Sequence, residues 1–409
     1  MDFNIKDYGA VSGGEHMNTK AIQAAIDACA DNGGGRVIIS DGIYLSGSIT
    51  LKRNIDLHIE GNAVLLGSAN CDDFPEKENL NHVISGNLPR TRNACFIFSE
   101  EQENISITGM GKIDCNGHNF VTKKENNTYG WDFDRIDLLT PPRVVFFTGC
   151  KNIKIEDITM VNQPSGWSYW IHDCDYVTFN KCKIDANVNY PNNDGIHINS
   201  SRNVTISNCS ISCGDDCIIV RANNRSLREN KVCEKVAVAN CNLTSYSGGI
   251  RIGWHNDGII RNCVFSNIVM NDTSVGISIF LPYTDNPDQG REATLIENIS
   301  FDNFIMDSIY GTPIKIYIEE NDELMCEAIR NLNFSNIRAR GLQFPQLKGR
   351  KNNVIKDIAF NNCSFEKVSD EVLPNYETHG AAAWDRPKDG NMFDFCENIT
   401  VNNTTFKSN

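Results

Sequence analysis

The 409-residue sequence has no uninterrupted apolar run of about 18 residues, so no membrane-spanning helix is expected. Its opening, MDFNIKDYGAVSGG, has no basic start, no apolar stretch and no small-residue cleavage site, which predicts a cytoplasmic protein. Positive charge is in deficit. Thirty-eight Lys and Arg stand against 52 Asp and Glu, for a net charge of −14. Nucleic acid and anionic membrane surfaces need a basic face and are excluded as partners. An anionic sugar, which a local basic pocket can hold, is not. Helical heptads are missing after about residue 50, which removes the crossover helices of a doubly wound sheet. Cysteine, by contrast, is plentiful at 16 residues. Cys182, Cys209, Cys241, Cys263 and Cys363 each follow Asn or Lys at one point of a recurring pattern, which predicts buried, reduced thiols. Cys213 and Cys217 lack a second pair at zinc-finger spacing, so no metal and no cofactor is expected.

What the chain does contain is a repeat. NIKIEDITM (152–160), YVTFNKCKI (176–184), NVTISNCSI (203–211), KVAVANCNL (235–243), NISFDNFIM (298–306), NLNFSNIRA (331–339) and NITVNNTTF (398–406) alternate apolar and polar residues, the period of a half-buried strand. They recur roughly every 20–35 residues, as solenoid coils do. A solenoid lengthens without enlarging its core, so residues 1–409 are read as one all-β, right-handed parallel β-helix. Residues 1–50 form its N-terminal cap region. There, Asn18 or Thr19 caps a helix with Ala21, Ile22, Ala25, Ile26 and Cys29 on its apolar face, and Gly33–Gly35 stop it. Residues 70–94, 116–143 and 366–396, the last containing Trp384 and Arg386, are expected to wall a cleft. A solenoid needs no partner to complete its core, and no feature sets an oligomeric state.

Two adjacent coils carry the chemistry. They read Asn192-Asn193-Asp194-Gly195-Ile196-His197-Ile198 and Gly214-Asp215-Asp216-Cys217-Ile218-Ile219-Val220. Stacking Ile196 on Ile218 puts Asp194 over Asp216, about 4.8 Å away if the coils are neighbours. At an effective dielectric of about 20, two charges that close repel by roughly 3 kcal/mol, or about two pKa units. One carboxyl should therefore keep its proton while a neighbour ionises, which supplies the acid and base of glycoside hydrolysis.

These motifs resemble family 28 glycoside hydrolases, the polygalacturonase-like enzymes. So do DYGAVSGG with its helix, Pro142-Arg143 before VVFF, and Pro164-Ser165-Gly166-Trp167. The resemblance spans nearly the whole chain. It implies inversion at the anomeric carbon, with Asp215 as general acid and Asp194 and Asp216 holding the water. Two family motifs are missing. In place of Gly-His-Gly the chain has Ser247-Gly248-Gly249, with Gly248 in the column of Asp216. In place of Arg-Ile-Lys it has Ser278-Ile279-Phe280. The sugar is therefore expected to differ from plain galacturonan, being neutral or a differently placed uronate.

Other residues are expected to grip it. Arg251 faces out one coil beyond the aspartates, Lys315 and Tyr317 follow in the same strip, and Arg221 with Asn199 fills the next outward column. Arg suits a carboxylate because its fork binds bidentately. Trp254 and His255 end the Arg251 strand as a platform for a sugar ring, and His197 points outward beside Asp194. Trp167 and Trp170 are expected to be half core and half cleft wall. The leading expectation is an inverting, exo-acting glycosidase on pectin-related or other plant or microbial oligosaccharides. The alternatives are a β-helix lyase or epimerase on uronic sugars and a non-catalytic carbohydrate-binding solenoid.

Overall fold

A computed structural model describes residues 1–77, 93–123, 133–135, 141, 143–285, 290–369, 371–373 and 391–408. Pro142, Trp384 and Arg386 lie outside the described residues, as do most of the three expected cleft walls. Parallel strands dominate. One sheet of 11 strands runs in chain order from Ile49–Thr50 to Phe393–Asp394, every pairing parallel. A second stack, 21 strands in all, forms the remaining walls. Strands that return to the same sheet through a parallel crossover wind right-handedly, and the result is the expected right-handed parallel β-helix. Between the walls, alternate residues from every coil merge into one apolar core.

The recurring Asn residues occupy the corners. Asn208, Asn240, Asn267 and Asn303 all have φ between 55° and 58°, a left-handed conformation that Asn tolerates better than most residues. Their amides then join coil to coil: Asn240 Nδ2 donates to Asn208 (3.3 Å), Asn267 to Asn240 (3.1 Å) and Asn303 to Asn267 (2.8 Å). The corner also explains the cysteines. After the left-handed residue the chain turns inward, and a small side chain with a weak donor fits. Cys209, Cys241 and Cys263 each donate to the carbonyl two residues earlier, at 3.2–3.3 Å.

The helix spans Thr19–Asp31 and joins its buried Ile22, Ala25, Ile26 and Cys29 to the same core. Its start differs from expectation. Asn18 holds the N-cap position, but its side chain makes no cap bond. It instead accepts from Val11 N–H (2.7 Å) and donates to the carbonyls of Val11 and His16. Thr19 Oγ1 accepts from Gly47 N–H. Both polar groups fasten the preceding loop, a tertiary demand that overrides local capping.

On one inner wall Phe265, Phe301, Phe334 and Phe360 stack at 4.9–5.1 Å between centroids. Phe301→Ala removes a ring from the middle of this ladder. It should cost about 3–5 kcal/mol in a urea unfolding titration, whereas Ile305→Ala on the exposed face of the same strand should cost under about 1 kcal/mol.

Candidate active site

The site lies on the outward face of the 11-stranded sheet. Ile196 pairs with Ile218 and Ile218 with Ile250, so Asp194, Asp216 and Gly248 fall in one column on successive coils. Glycine is required by backbone contacts at two points and crowded by a side chain at a third. A Cβ at Gly195 would collide with Cys217 O, one at Gly214 with Tyr190 O, and one at Gly248 with Asp216 Oδ1. The absence of a side chain at Gly248 is what gives the Asp216 carboxylate its room. Carboxylate oxygens of Asp194, Asp215 and Asp216 all lie within 4.8 Å of one another.

Three similar groups have unequal surroundings. Asp194 and Asp216 are buried, while Asp215 is half-exposed. Asp215 Oδ2 accepts from the backbone and side-chain amides of Asn192 (3.3 and 3.1 Å), and Oδ1 accepts from Asp216 N–H (3.0 Å). Asn193 Oδ1 accepts from Gly214 N–H at 2.6 Å and so fixes the turn that carries Asp215. Asp216 accepts from Ser247 Oγ (3.2 Å) and forms an ion pair with Arg251 Nε. Burial raises the Asp216 carboxyl to about 6, and Asp215 adds to the rise while Arg251 restrains it. Asp194 has a buried Oδ1 with no hydrogen-bond partner among the described residues. Burial, then the charges of Asp215 and Asp216, hold its carboxyl well above the usual range. The cluster therefore keeps a proton near neutral pH, on the groups whose environment penalises charge most.

The remaining expected residues divide. Arg251 is closer than its coil suggested, because it turns back onto Asp216 and rests 4.9 Å from the Trp254 ring. His197 is buried against Trp167, with ring centroids 4.3 Å apart. Burial first, then Arg221, Arg143, His172 and Arg251, press its pKa well below the usual value, so the imidazole stays neutral. Arg221 does not offer its fork to the cleft. It binds the fully buried Asp257 bidentately at 3.0 and 2.7 Å. His255 is buried too, accepting from Thr284 N–H at 3.1 Å and packing on Tyr283. Lys315 and Tyr317 lie further along the strip. Tyr317 stacks on Phe280 at 5.5 Å, and Lys315 Nζ sits 5.4 Å from the same ring.

Sequence reasoning quoted Asn193, Ser247 and Arg143 within motifs but gave them no role. Arg143 is buried with its guanidinium 3.5 Å from the Trp170 ring centroid, and Trp170 packs with Cys95, Phe98 and Phe146 in a small cluster outside the main core. Trp170 is thus buried and Trp167 half-exposed. The Asn doublet before Asp194 was the available signal for Asn193; nothing local marks Ser247.

A parallel β-helix with clustered carboxylates on an open sheet face is the architecture of carbohydrate-active solenoid enzymes. Comparison with known proteins narrows the class: residues 87–369 match the model of glycosyl hydrolases family 28, and the chain belongs to that family. A probable polygalacturonase of Arabidopsis thaliana is 24% identical over 335 residues, covering 74% of this chain and 67% of that protein. An exo-poly-alpha-D-galacturonosidase of Dickeya chrysanthemi is 26% identical over 312 residues, covering 67% of this chain and 51% of the relative. The chain thus spans about two thirds and about half of their respective lengths. Among solved structures, an exopolygalacturonase from Thermotoga maritima superimposes with a TM-score of 0.71 at 21% identity, over 90% of this chain and 87% of that one. That likeness is one of fold.

Asp194 carries a stability cost that can be measured. Its folded carboxyl titrates above the unfolded value of about 3.9, so above that pH the folded chain binds more protons than the unfolded one, and stability falls as pH rises. Asp194→Asn keeps the shape and removes the charge. It should gain about 0.5–2 kcal/mol at pH 8, the usual size of such relief, and the gain should vanish near pH 4. Thermal unfolding at the two pH values checks it.

Proposed function

We propose that the protein is an inverting glycosidase that removes terminal sugars from pectin-derived oligosaccharides. In this reading Asp215 protonates the leaving oxygen while Asp194 and Asp216 hold the attacking water. The observation that carries it is the unequal burial of three carboxylates whose oxygens lie within 4.8 Å. Acid and base must coexist at one pH, and the cluster separates them. Asp216, tied to Arg251, is ionised above about pH 6 and can take a proton from water. Asp215 is the member that substrate can reach. The proton held at Asp194 lies beside Asp215, since oxygens of the clustered carboxylates fall within 4.8 Å of one another. Two buried acids and a neutral His197, whose Nδ1 has no hydrogen-bond partner among the described residues, also give a sugar's hydroxyls partners to meet.

Exo action is supported by the Dickeya relative, an exo-enzyme by its name. A cytoplasmic site, acting on short imported oligosaccharides, belongs to the same proposal. It fits the cysteine thiols, since Cys213 and Cys217 flank the catalytic turn with sulfurs 3.6 Å apart, and a reducing compartment keeps them unlinked.

The carboxylate spacing itself favours a second reading. Inverting enzymes commonly separate the pair by about 6.5–9.5 Å, retaining ones by about 5–5.5 Å, with one carboxylate as nucleophile. Here the short spacing suits a water held between two carboxylates beside the acid, which needs hydrogen-bond reach to both. Proton NMR of the first product from an α-linked oligogalacturonide decides: the β-anomer supports inversion, the α-anomer a covalent intermediate. Three further outcomes follow. Asp215→Asn should lower kcat by about 10²–10⁴-fold with substrate binding retained. The pH profile of kcat/KM should fall on the acid side near pH 6, as Asp216 loses its base form. Mass spectrometry of early digests should show terminal monosaccharides; mid-chain fragments would remove the exo assignment.

A further inference from the structure

Asp215 and Asp216 share one planar peptide unit, so its tilt sets both carboxylates at once. Its N–H end, from Asp216, donates to Asp215 Oδ1 at 3.0 Å. Its C=O end, from Asp215, points the opposite way and accepts from two buried side chains, Cys213 Sγ (3.0 Å) and Ser245 Oγ. A thiol is a weak donor and a hydroxyl a stronger one, so Ser245 is the firmer of the two ties. It reaches the turn because Ser245, which ends the strand Cys233–Ser245, pairs in register with Cys213 on the coil before. The same hydroxyl oxygen accepts from Ser247 N–H at 2.8 Å, and Ser247 Oγ in turn donates to Asp216 Oδ1 at 3.2 Å. Ser245 is held from its other side, since its own N–H donates to the buried Thr273 Oγ1 at 3.2 Å. A buried hydroxyl that needed only to be satisfied could bond a carbonyl of its own corner, as Thr273 does with Asn271 (2.9 Å). Ser245 instead stands between the turn that carries Asp215 and the residue that touches Asp216.

We propose that Ser245 is a positioning residue for the hydrolysis: its hydroxyl fixes the tilt of the Asp215–Asp216 peptide and so the separation of acid from base. The inference rests on the glycosidase reading above and adds a residue that never meets the substrate. Rate depends on this separation, because misplacing a reacting group by about 1 Å can cost on the order of 100-fold. Strand register does not fix it. Pairing aligns Ile196, Ile218 and Ile250, but Asp215 and Asp216 lie in the turn between the strands Ser210–Cys213 and Ile218–Arg221. Removing the Ser245 hydroxyl leaves the Asp215 carbonyl to the weaker thiol and takes away the acceptor of Ser247 N–H. The groups that face Asp216 are Arg251, Asp215, Asp194 and Ser247. If Ser247 drifts, Asp216 loses a donor that lowers its carboxyl, while burial and Asp215 continue to raise it.

The test compares Ser245→Ala with wild type on α-linked trigalacturonate, reading kcat, KM and the pH profile separately. The variant's kcat should fall about 10- to 100-fold with KM unchanged, because no contact with substrate is lost. The acid limb of kcat/KM, which reports the free enzyme, should move upward from about pH 6 as Asp216 loses its donor. A slower rate with the limb in place is what general loosening of the coil would give, and it overturns the proposal. Wild-type kcat in the folded variant overturns it as well. Hydrogen–deuterium exchange read by mass spectrometry needs no turnover. Peptides covering Asp216 and Ser247 should exchange faster in Ser245→Ala, while the distant Phe301–Phe304 segment keeps its wild-type rate; equal exchange at the turn overturns the positioning role. If the wild-type protein cleaves no oligogalacturonide, the glycosidase reading fails, and the exchange rates alone decide whether Ser245 fixes the turn. Should Ser245→Ala not fold, Ser245→Cys keeps the size and a weak donor, a side chain already present at the paired position 213. Its smaller changes in the same directions are judged by the same criteria.

Discussion

Everything in this molecule follows from one repeat distance. Parallel coils stack their strands about 4.8 Å apart, so a residue in one coil faces its equivalent in the next. What that contact is worth depends on the side chain. Phenylalanines in register stack and bury area, as Phe265, Phe301, Phe334 and Phe360 do. Asparagines in register satisfy one another's amides. Aspartates in register repel. The rule that builds core and corners therefore also makes the Asp194–Asp216 column unfavourable, and such a column persists only where function repays it.

The protein limits that cost with small, local devices. Glycine at 195, 214 and 248 lets backbone and carboxylate approach where a Cβ would collide. Asn192 and Ser247 give Asp215 and Asp216 neutral donors. Arg251 supplies the charge. Asp194 receives none of these on its Oδ1 and responds by keeping its proton. Burial thus raises the Asp194 and Asp216 carboxyls without changing the spacing of the cluster.

Most of this was legible in the sequence wherever it depended on register. Aligning Ile196, Ile218 and Ile250 put the aspartates in contact and Arg251 on the right face, because one periodicity governs both core and cleft. What escaped depended on chain distant in sequence. Arg221 looked available until Asp257, 36 residues later, closed on it. His255 was drawn into packing by Tyr283 and Thr284. Asn18 looked like a helix cap, yet its amide serves the loop before the helix. A two-residue period says which way a side chain points, not how far a long side chain bends along the axis. That is why Arg251 was placed one coil from a carboxylate it in fact touches.

The charge count around the cleft also explains why a single arginine suffices. Three carboxylates at contact distance need positive charge nearby, or burial forces protons onto most of them. Arg251 restrains the rise that burial imposes on the Asp216 carboxyl. One guanidinium, paired to Asp216 and also lowering Asp194 at a distance, leaves the Asp194 carboxyl well above its usual range and Asp216 at about 6. Arg221 is neutralised by Asp257, and Arg143 is set over the Trp170 ring. An acidic protein can in this way hold carboxyls of unequal acidity side by side.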